Sequence, residues 1–245
     1  VTMTESALEP AELSSLRYGL DNYESLLRSF RSAGYTFSLF DPDEPPAAGE
    51  ILLRHDVDLS IDRALAMAER ERELGVRSTY CVLLSAPVYD LTRPQNVRAL
   101  RRIAKLGHDI ALHFDSHTYW AADDDPDPES VAAKVTDELA VLGRLVGAEP
   151  STASFHIPPS WVLDRAFESF TNTYAPPFFS AIDYCSDSDQ KWATAEPFPD
   201  GLPEAFQLLV HPGLWHDSHR PMADIVDERR QQAAQRVDSY FDPLG

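Results

Sequence analysis

Acidic and imidazole side chains occur in this sequence at spacings that suit metal binding and proton transfer. Asp56 and Asp58 are two residues apart, so in an extended strand both carboxylates point to the same face. Two carboxylates held that close repel each other unless a cation or a proton lies between them. His113 and His117 are four residues apart, which on a helical turn places both imidazoles on one side. The four residues form a set suited to Zn²⁺ or another first-row divalent ion with an open water position.

Hydrophobic periodicity predicts the elements that must position these residues. Helices are predicted over residues 11–33, 61–74, from Pro94 to Leu106 with Gly107 as the stop, 129–146 and 223–241, and residues 161–170 also have a helical pattern. Strands are predicted over 35–40, from Ile51, and over 78–84, 109–114, 152–156 and 206–210. The alternation indicates a mostly parallel α/β sheet, and the polar clusters fall at strand carboxyl ends, where such folds build sites. A single, incomplete barrel is the predicted fold, with a doubly wound sheet as the alternative.

The chain is predicted to form one domain over residues 1–245. A helical lead-in covers residues 1–48, the barrel with its motifs covers 50–216, and a helix covers 223–245. Residues 174–203 are rich in Pro, Asp and Ser and too long for a simple spacer, which favours a functional loop. We expect the part from Ala181 to Trp192 to form one wall of the pocket.

Composition excludes several classes of function. The 245 residues include 21 Lys and Arg against 40 Asp and Glu, a net charge of −19 that opposes binding to nucleic acid or anionic lipid. The mean hydropathy of −0.31 argues against a membrane span. Residues 1–13 have no signal-peptide pattern, and the only cysteines are Cys81 and Cys185, so the sequence predicts a cytoplasmic protein with reduced thiols.

Five short motifs together resemble those of the polysaccharide deacetylase (NodB-homology) superfamily, and most closely its divergent WbmS-like branch. They cover roughly residues 50–216 in the family's order and are ArgHisAspValAsp at 54–58, HisPheAspSerHis at 113–117, PheHisIlePro at 155–158, SerAspSer at 186–188 and LeuValHisPro at 209–212. A single His or Asp pair is more often a cap or a salt bridge, but an ordered series is far more specific. The resemblance implies a distorted (β/α)7 barrel.

The resemblance also implies roles for individual residues. Asp56 matches the family's catalytic base and Asp58 its metal ligand, although Val57 separates two residues that are adjacent in the family. His113 and His117 match the histidine ligands of a divalent metal, expected to be zinc. Where the family has an arginine two residues before a proline, this sequence has His156, which becomes a candidate further ligand or substrate contact.

The remaining implied residues concern proton donation and substrate binding. His211 matches the family's general acid, and Asp187 corresponds to the acidic residue that tunes it. Trp192 and Trp215 lie near the motifs and could stack against a sugar ring, with a role in the core as the alternative for each. The implied substrate is a carbohydrate.

Three functions remain open from the sequence. The first is a metal-dependent hydrolase that removes an acetyl group from an N-acetylated sugar or polysaccharide precursor. In it, a metal polarises the amide carbonyl and its water, a carboxylate takes a proton, and a histidine protonates the leaving amine. The second is an inactive deacetylase-like barrel that binds a glycan or a partner, and the third is a hydrolase of another non-peptide C–N bond. A serine hydrolase is not supported, because no serine lies in a GxSxG setting.

Overall fold

The computed structural model describes residues 16–121 and 123–242. Its helices are α1 (Leu20–Ser32), α2 (Ile61–Glu73), α3 (Pro94–Lys105), α4 (Pro128–Val146) and α5 (Met222–Phe241). Its strands are β1 (Thr36–Ser38), β2 (Glu50–Val57), β3 (Thr79–Val82), β4 (Asp109–Phe114), β5 (Thr152–Phe155), β6 (Thr171–Asn172), β7 (Asp183–Ser186) and β8 (Phe206–Val210). None of the helices in these ranges has both the length and the apolar character that crossing a membrane requires.

The sheet is a barrel that stays open at one seam. Its strands run in the order β6-β5-β4-β3-β2-β8-β7, every pairing is parallel, and β1 pairs with the start of β2. Consecutive strands from β2 to β6 are neighbours, and β8 then pairs with the other edge of β2, which is how a barrel closes. Within the described ranges no pairing joins β6 to β7. The predicted distorted (β/α)7 barrel is thus confirmed, with seven strands on the main path and β1 added to them.

The alternation of β2 separates two different environments. Leu52, Arg54 and Asp56 point to the inside of the barrel, where Leu52 packs with Phe40 and Phe178. Ile51 and its alternate neighbours point outward against the helices. The charged side chains of Arg54 and Asp56 therefore lie inside the barrel, below the carboxyl end of β2.

A buried carboxylate fixes α2 to the outer face of the sheet. Glu71 is fully buried and accepts hydrogen bonds from four side chains, those of Tyr23, His55, Ser78 and Tyr80. Burial raises the pKa of Glu71, but His55, His108 and the Ser78 hydroxyl outweigh it, so the pKa lies below its ordinary value. Through these hydrogen bonds the Glu71 carboxylate connects α1, α2, β2 and β3.

The structure differs from three predictions of local structure. Residues 161–170 do not form a helix: a single 3₁₀ turn over Ser160–Val162 follows Pro158 and Pro159, and Asp164 has a positive φ of 55° that ends any helical path. The region predicted as irregular contains β7, which was missed because its side chains are mostly exposed and polar. The first helix begins at Leu20, so Leu16 to Gly19 are not helical, and residues 11–15 of that prediction lie outside the described ranges.

Candidate active site

The candidate site lies at the carboxyl ends of β5, β4, β2 and β8, a set that the sheet order interrupts only at β3. Asp56 is near the end of β2 and Asp58 lies just beyond it, and the other contributors are His113 on β4, His156 after β5 and His211 after β8. Parallel pairing of β2 with β3 and β8, and of β4 with β5, brings these strand ends to one edge of the barrel. That edge is where barrel folds place their sites.

Asp58, His113 and His156 bring three potential metal-ligating atoms together. Oδ1 of Asp58 is 3.2 Å from Nε2 of His113 and 3.6 Å from Nδ1 of His156. The two imidazole nitrogens are 3.2 Å apart. All three atoms lie within 4.8 Å of one another. No other group of three or more His, Cys, Asp or Glu residues in the described part of the chain meets this condition.

This donor set fits a divalent ion such as zinc. Ligand atoms at about 2.0–2.2 Å from a tetrahedral ion are separated by roughly 3.3 Å, close to the spacings found here. Oδ1 of Asp58 is buried and makes no hydrogen bond, which leaves its lone pairs free for an ion. Burial raises the pKa of Asp58, but His113 and His156 outweigh it and hold this pKa well below its usual range.

His117 does not lie with this cluster, although the sequence placed it in the metal set. Its side chain is exposed, and its Nε2 lies 3.2 Å from the carbonyl oxygen of Ile157. The i, i+4 rule applies to helices, whereas His113 is on an extended strand and His117 is in the 3₁₀ turn Ser116–Thr118. His156 occupies the third position instead.

Arg54 holds Asp56 by a bidentate ion pair. Nε of Arg54 donates to Oδ1 of Asp56 at 2.9 Å, and Nη2 donates to Oδ2 at 2.7 Å. The fully buried guanidinium also donates to Gln207, Thr173 and Tyr174, so all its nitrogens have partners. Since Arg54 and Asp56 are two residues apart on one strand, their side chains share a face.

The charge of Arg54 decides the ionisation of Asp56. Burial raises the pKa of Asp56, but Arg54 and His113 outweigh it and lower the pKa to about 2. Asp56 is therefore a carboxylate at neutral pH. Its Oδ2 lies 3.7 Å from Nε2 of His113, at the edge of the metal-ligating cluster.

Asp187 orients His211 from behind. Oδ1 of Asp187 is 2.6 Å from Nδ1 of His211, and the same carboxylate accepts from the backbone N–H of His211 at 3.0 Å. Oδ2 accepts from Nε1 of Trp215 at 2.8 Å. These contacts leave Nε2 of His211 facing the site, 3.8 Å from Oδ2 of Asp58.

His211 and Asp56 have pKa values displaced in opposite directions. Burial lowers the pKa of His211, but Asp187 and then Asp58 outweigh it and raise the pKa to about 9. His211 is therefore an imidazolium at neutral pH in the metal-free protein, beside an ionised Asp56. Such a pair has the charge states of a general acid and a general base.

The two tryptophans predicted to contact substrate lie in the core instead. Trp192 is 1% exposed and Trp215 is fully buried; both pack around Tyr18. Neither lines the site cavity. The segment from Ala181 to Trp192 does form part of the cavity wall, but through Tyr184, Ser188 and Asp189.

A cavity of about 440 Å³ opens above these groups. Its polar floor includes Asp56, Asp58 and the three histidines of the site, and its walls are mainly apolar. Sequence reasoning missed two residues that matter here, Arg54 and Tyr174. The two-residue spacing of Arg54 and Asp56 could have predicted that their side chains lie on one face of the strand. No local pattern predicts Tyr174, which is distant in sequence and contacts Arg54 only in the folded protein.

Comparison with known proteins finds similar solved structures at low sequence identity. No protein-family model and no curated protein sequence matches this chain. A family 4 acetyl xylan esterase from Clostridium thermocellum, solved with a cobalt ion, is 15% identical over 78% of this chain and 84% of that chain, with a TM-score of 0.43. The Streptococcus pyogenes deacetylase PplD, solved with acetate, is 14% identical over 86% and 90%, with a TM-score of 0.44.

A third similar structure is a carbohydrate esterase family 4 pseudoenzyme from Bacillus anthracis. It is 10% identical, with 79% of this chain and 63% of that chain covered and a TM-score of 0.44. All three of these structures are at most 15% identical to this chain.

Proposed function

We propose that this protein is a metal-dependent hydrolase that removes the acetyl group from an N-acetylated sugar or polysaccharide precursor. One observation carries the proposal: three metal-ligating atoms converge beside a carboxylate and an imidazolium whose pKa values are displaced in opposite directions. Metal-assisted amide hydrolysis needs this combination of an ion, a base and an acid. The carbohydrate class of the substrate comes from the resemblance of the motifs.

Asp58, His113 and His156 would hold the ion, which we propose to be zinc. When bound there, a divalent ion polarises a carbonyl oxygen and lowers the pKa of a water molecule. His156 is the ligand that differs from the sequence-based set. The hydrogen bond with Asp58 raises the pKa of His156 and outweighs the effect of burial, which lowers it.

Asp56 and His211 would carry out the two proton transfers. Asp56 is ionised and can accept a proton from water, and Arg54 keeps its carboxylate in one orientation. His211 can donate the proton on Nε2 to the leaving amine, because Asp187 accepts from Nδ1 and stabilises the imidazolium. After the acetyl–nitrogen bond breaks, acetate and the free amine leave. Both cysteines are free thiols, which supports the proposed reducing, cytoplasmic setting.

Acetate release tests this function directly. We expect purified protein reconstituted with zinc to release acetate from N-acetylglucosamine or its oligomers and to lose this activity on chelation. An Asp56→Asn variant should keep its metal and lose about 10²- to 10⁴-fold in rate, the usual contribution of one acid–base group. Full metal binding without turnover of any acetylated sugar would favour the inactive, glycan-binding barrel. Release of another amine product would favour the alternative C–N hydrolase.

A further inference from the structure

The walls of the site cavity are more apolar than removal of an acetyl group requires. Leu59, Leu163, Leu214 and Met222 line the cavity above the polar floor, together with the aromatic residues described below. Its volume of about 440 Å³ falls within the range of sites that enclose whole small molecules, roughly 300–1,000 Å³. One acetyl methyl would leave most of this surface uncovered.

Ile157 presents an apolar side chain to solvent at this cavity. It is 68% exposed, and its φ of 45° lies in the left-handed region that β-branched residues avoid. Such a conformation persists where the surrounding structure enforces it, often at functional sites. Here the strained residue directly follows the candidate ligand His156, so the same turn sets both side chains.

Three aromatic rings form another part of the wall. The ring centroids of Tyr174 and Phe179 are 5.3 Å apart, as are those of Phe179 and Tyr184, and both pairs are steeply inclined. Tyr184 remains 37% exposed although it carries a large ring. Arg54 lies over the ring of Tyr174 at 4.6 Å and donates to its hydroxyl, which joins this wall to Asp56.

Above the histidines of the floor, the described walls of the cavity offer no lysine or arginine to an anionic ligand. Neither lysine nor arginine is among the described residues that line it, and Asp189 adds a negative charge to the wall. Arg54 is fully buried behind Asp56 and already paired. Phosphate or carboxylate groups placed against the walls, away from His211 and the candidate ion site, would therefore meet an apolar and acidic surface.

We infer that the cavity binds an uncharged, apolar group of several carbon atoms that the substrate carries next to the scissile amide. The inference rests on the proposed hydrolase function and adds to it a substrate class. The group could be an N-acyl chain longer than acetyl or an alkyl group on the amine side, and both present the same hydrocarbon surface. Burial of each methylene contributes about 0.8 kcal/mol, which corresponds to roughly a fourfold gain in affinity.

Two substrate series distinguish these sources. The first varies the acyl group of glucosamine from acetyl to propionyl, butyryl and hexanoyl; the second keeps N-acetyl and lengthens an alkyl glycoside from methyl to octyl. Release of free amine gives kcat/KM for every compound. We expect kcat/KM to rise up to fourfold per methylene in one series, and to fall when the sugar carries a 6-phosphate.

Ile157→Ala provides the test in the protein, with Val141→Ala as its matched control. Val141 is also an exposed β-branched residue, 45% exposed, but lies on α4 and does not line the cavity. Ile157→Ala should reduce the increase in kcat/KM that each added methylene gives, whereas Val141→Ala should leave this increase unchanged. Measured metal content shows whether the neighbouring His156 still binds.

The outcomes separate this inference from the proposed function. Turnover of acetylated sugars with no gain in either series would overturn the inference and leave the hydrolase intact. Absence of turnover would count against the hydrolase, and calorimetric titration with the octyl and methyl glycosides of glucosamine would then decide the inference alone. Equal affinity for these two amines would refute it, and tighter binding of the octyl compound would support it.

Discussion

The guanidinium of Arg54 and the carboxylate of Asp56 form a bidentate ion pair inside the barrel, from two positions on one strand. Arg54 therefore sets the ionisation of Asp56 from the same strand, β2. His156, which follows β5, lies in the cluster of potential metal-ligating atoms with Asp58 and His113.

Removing Arg54 should destabilise the protein and impair catalysis together. We expect Arg54→Met to lower the free energy of unfolding by about 3–5 kcal/mol, because it leaves the Asp56 carboxylate buried without its partner. The pKa of Asp56 should rise, so activity should be lost at a higher pH than in wild type on the acidic side. Urea denaturation and a pH–rate profile measure the two effects.

The double variant Arg54→Met with Asp56→Asn is the control for this pair. It contains no unpaired charge, so its loss of stability should be smaller than the sum of the two single losses by about 0.5–3 kcal/mol. Additive losses would mean that the ion pair contributes little. Arg54→Lys should keep the positive charge but lose the bidentate geometry, and it should therefore retain only part of the activity.

Metal binding should depend on His156 and not on His117. Nδ1 of His156 lies 3.6 Å from Oδ1 of Asp58, whereas His117 is exposed and outside the cluster. We expect His156→Ala to weaken zinc binding by more than the roughly 10- to 100-fold typical of losing an outer-shell partner. His117→Ala should bind zinc as wild type does. Elemental analysis after dialysis measures both, and the reverse result would restore the set predicted from the sequence.

Local patterns predicted most elements and the strand ends at which the site is built. The predicted strand over 109–114 has the bounds of β4, and the side chain of Ser60, a residue type that favours helix N-caps, accepts from the backbone N–H of Arg63 at the start of α2. These features depend on residues close in sequence. Burial of Asp56 and Asp58 beside His113 also follows from strand alternation and parallel pairing.

Features set by distant contacts were not predictable in the same way. The direction of the Trp192 side chain depends on packing with Tyr18, which lies far away in the chain. The spacing of His113 and His117 suggested a helix-like pair, but strand β4 runs through Phe114 and turns the two side chains apart. The choice between His117 and His156 required the pairing of β4 with β5.

The Asp187→Asn variant should shift the alkaline limb of the pH–rate profile to lower pH. Asp187 is the largest source of the raised pKa of His211, and the reaction needs the protonated imidazole. A cation at Asp58 lowers this pKa in wild type and variant alike, so the difference between them is the quantity to measure. We also expect a rate loss of about 10²- to 10⁴-fold.

The pH dependence of the stability of the metal-free protein gives an independent measurement of the Asp187–His211 pair. The pKa of His211 is raised from 6.5 to about 9, so its protonation stabilises the fold fully below about pH 6.5. This stabilisation is lost as the pH rises through about 9. Asp187→Asn should remove most of that pH dependence. Trp215→Phe removes the 2.8 Å hydrogen bond to Oδ2 and part of a buried ring but leaves the Asp187 carboxylate in place, so it should retain most of that pH dependence. An unchanged dependence in Asp187→Asn would refute the assignment.

A methyl group added at Gly213 should force apart the two loops that carry Asp58 and His211. A Cβ atom there would lie 2.5 Å from Cβ of Leu59, which is held close to the backbone and cannot rotate away. We expect Gly213→Ala to cost about 1–3 kcal/mol of stability, typical of overpacking, and to weaken both zinc binding and acetate release. At Gly19 the nearest side-chain atom would be 3.6 Å away, so Gly19→Ala should change neither property and serves as the matched control. Wild-type metal affinity and activity in Gly213→Ala would show that the site does not depend on this close approach.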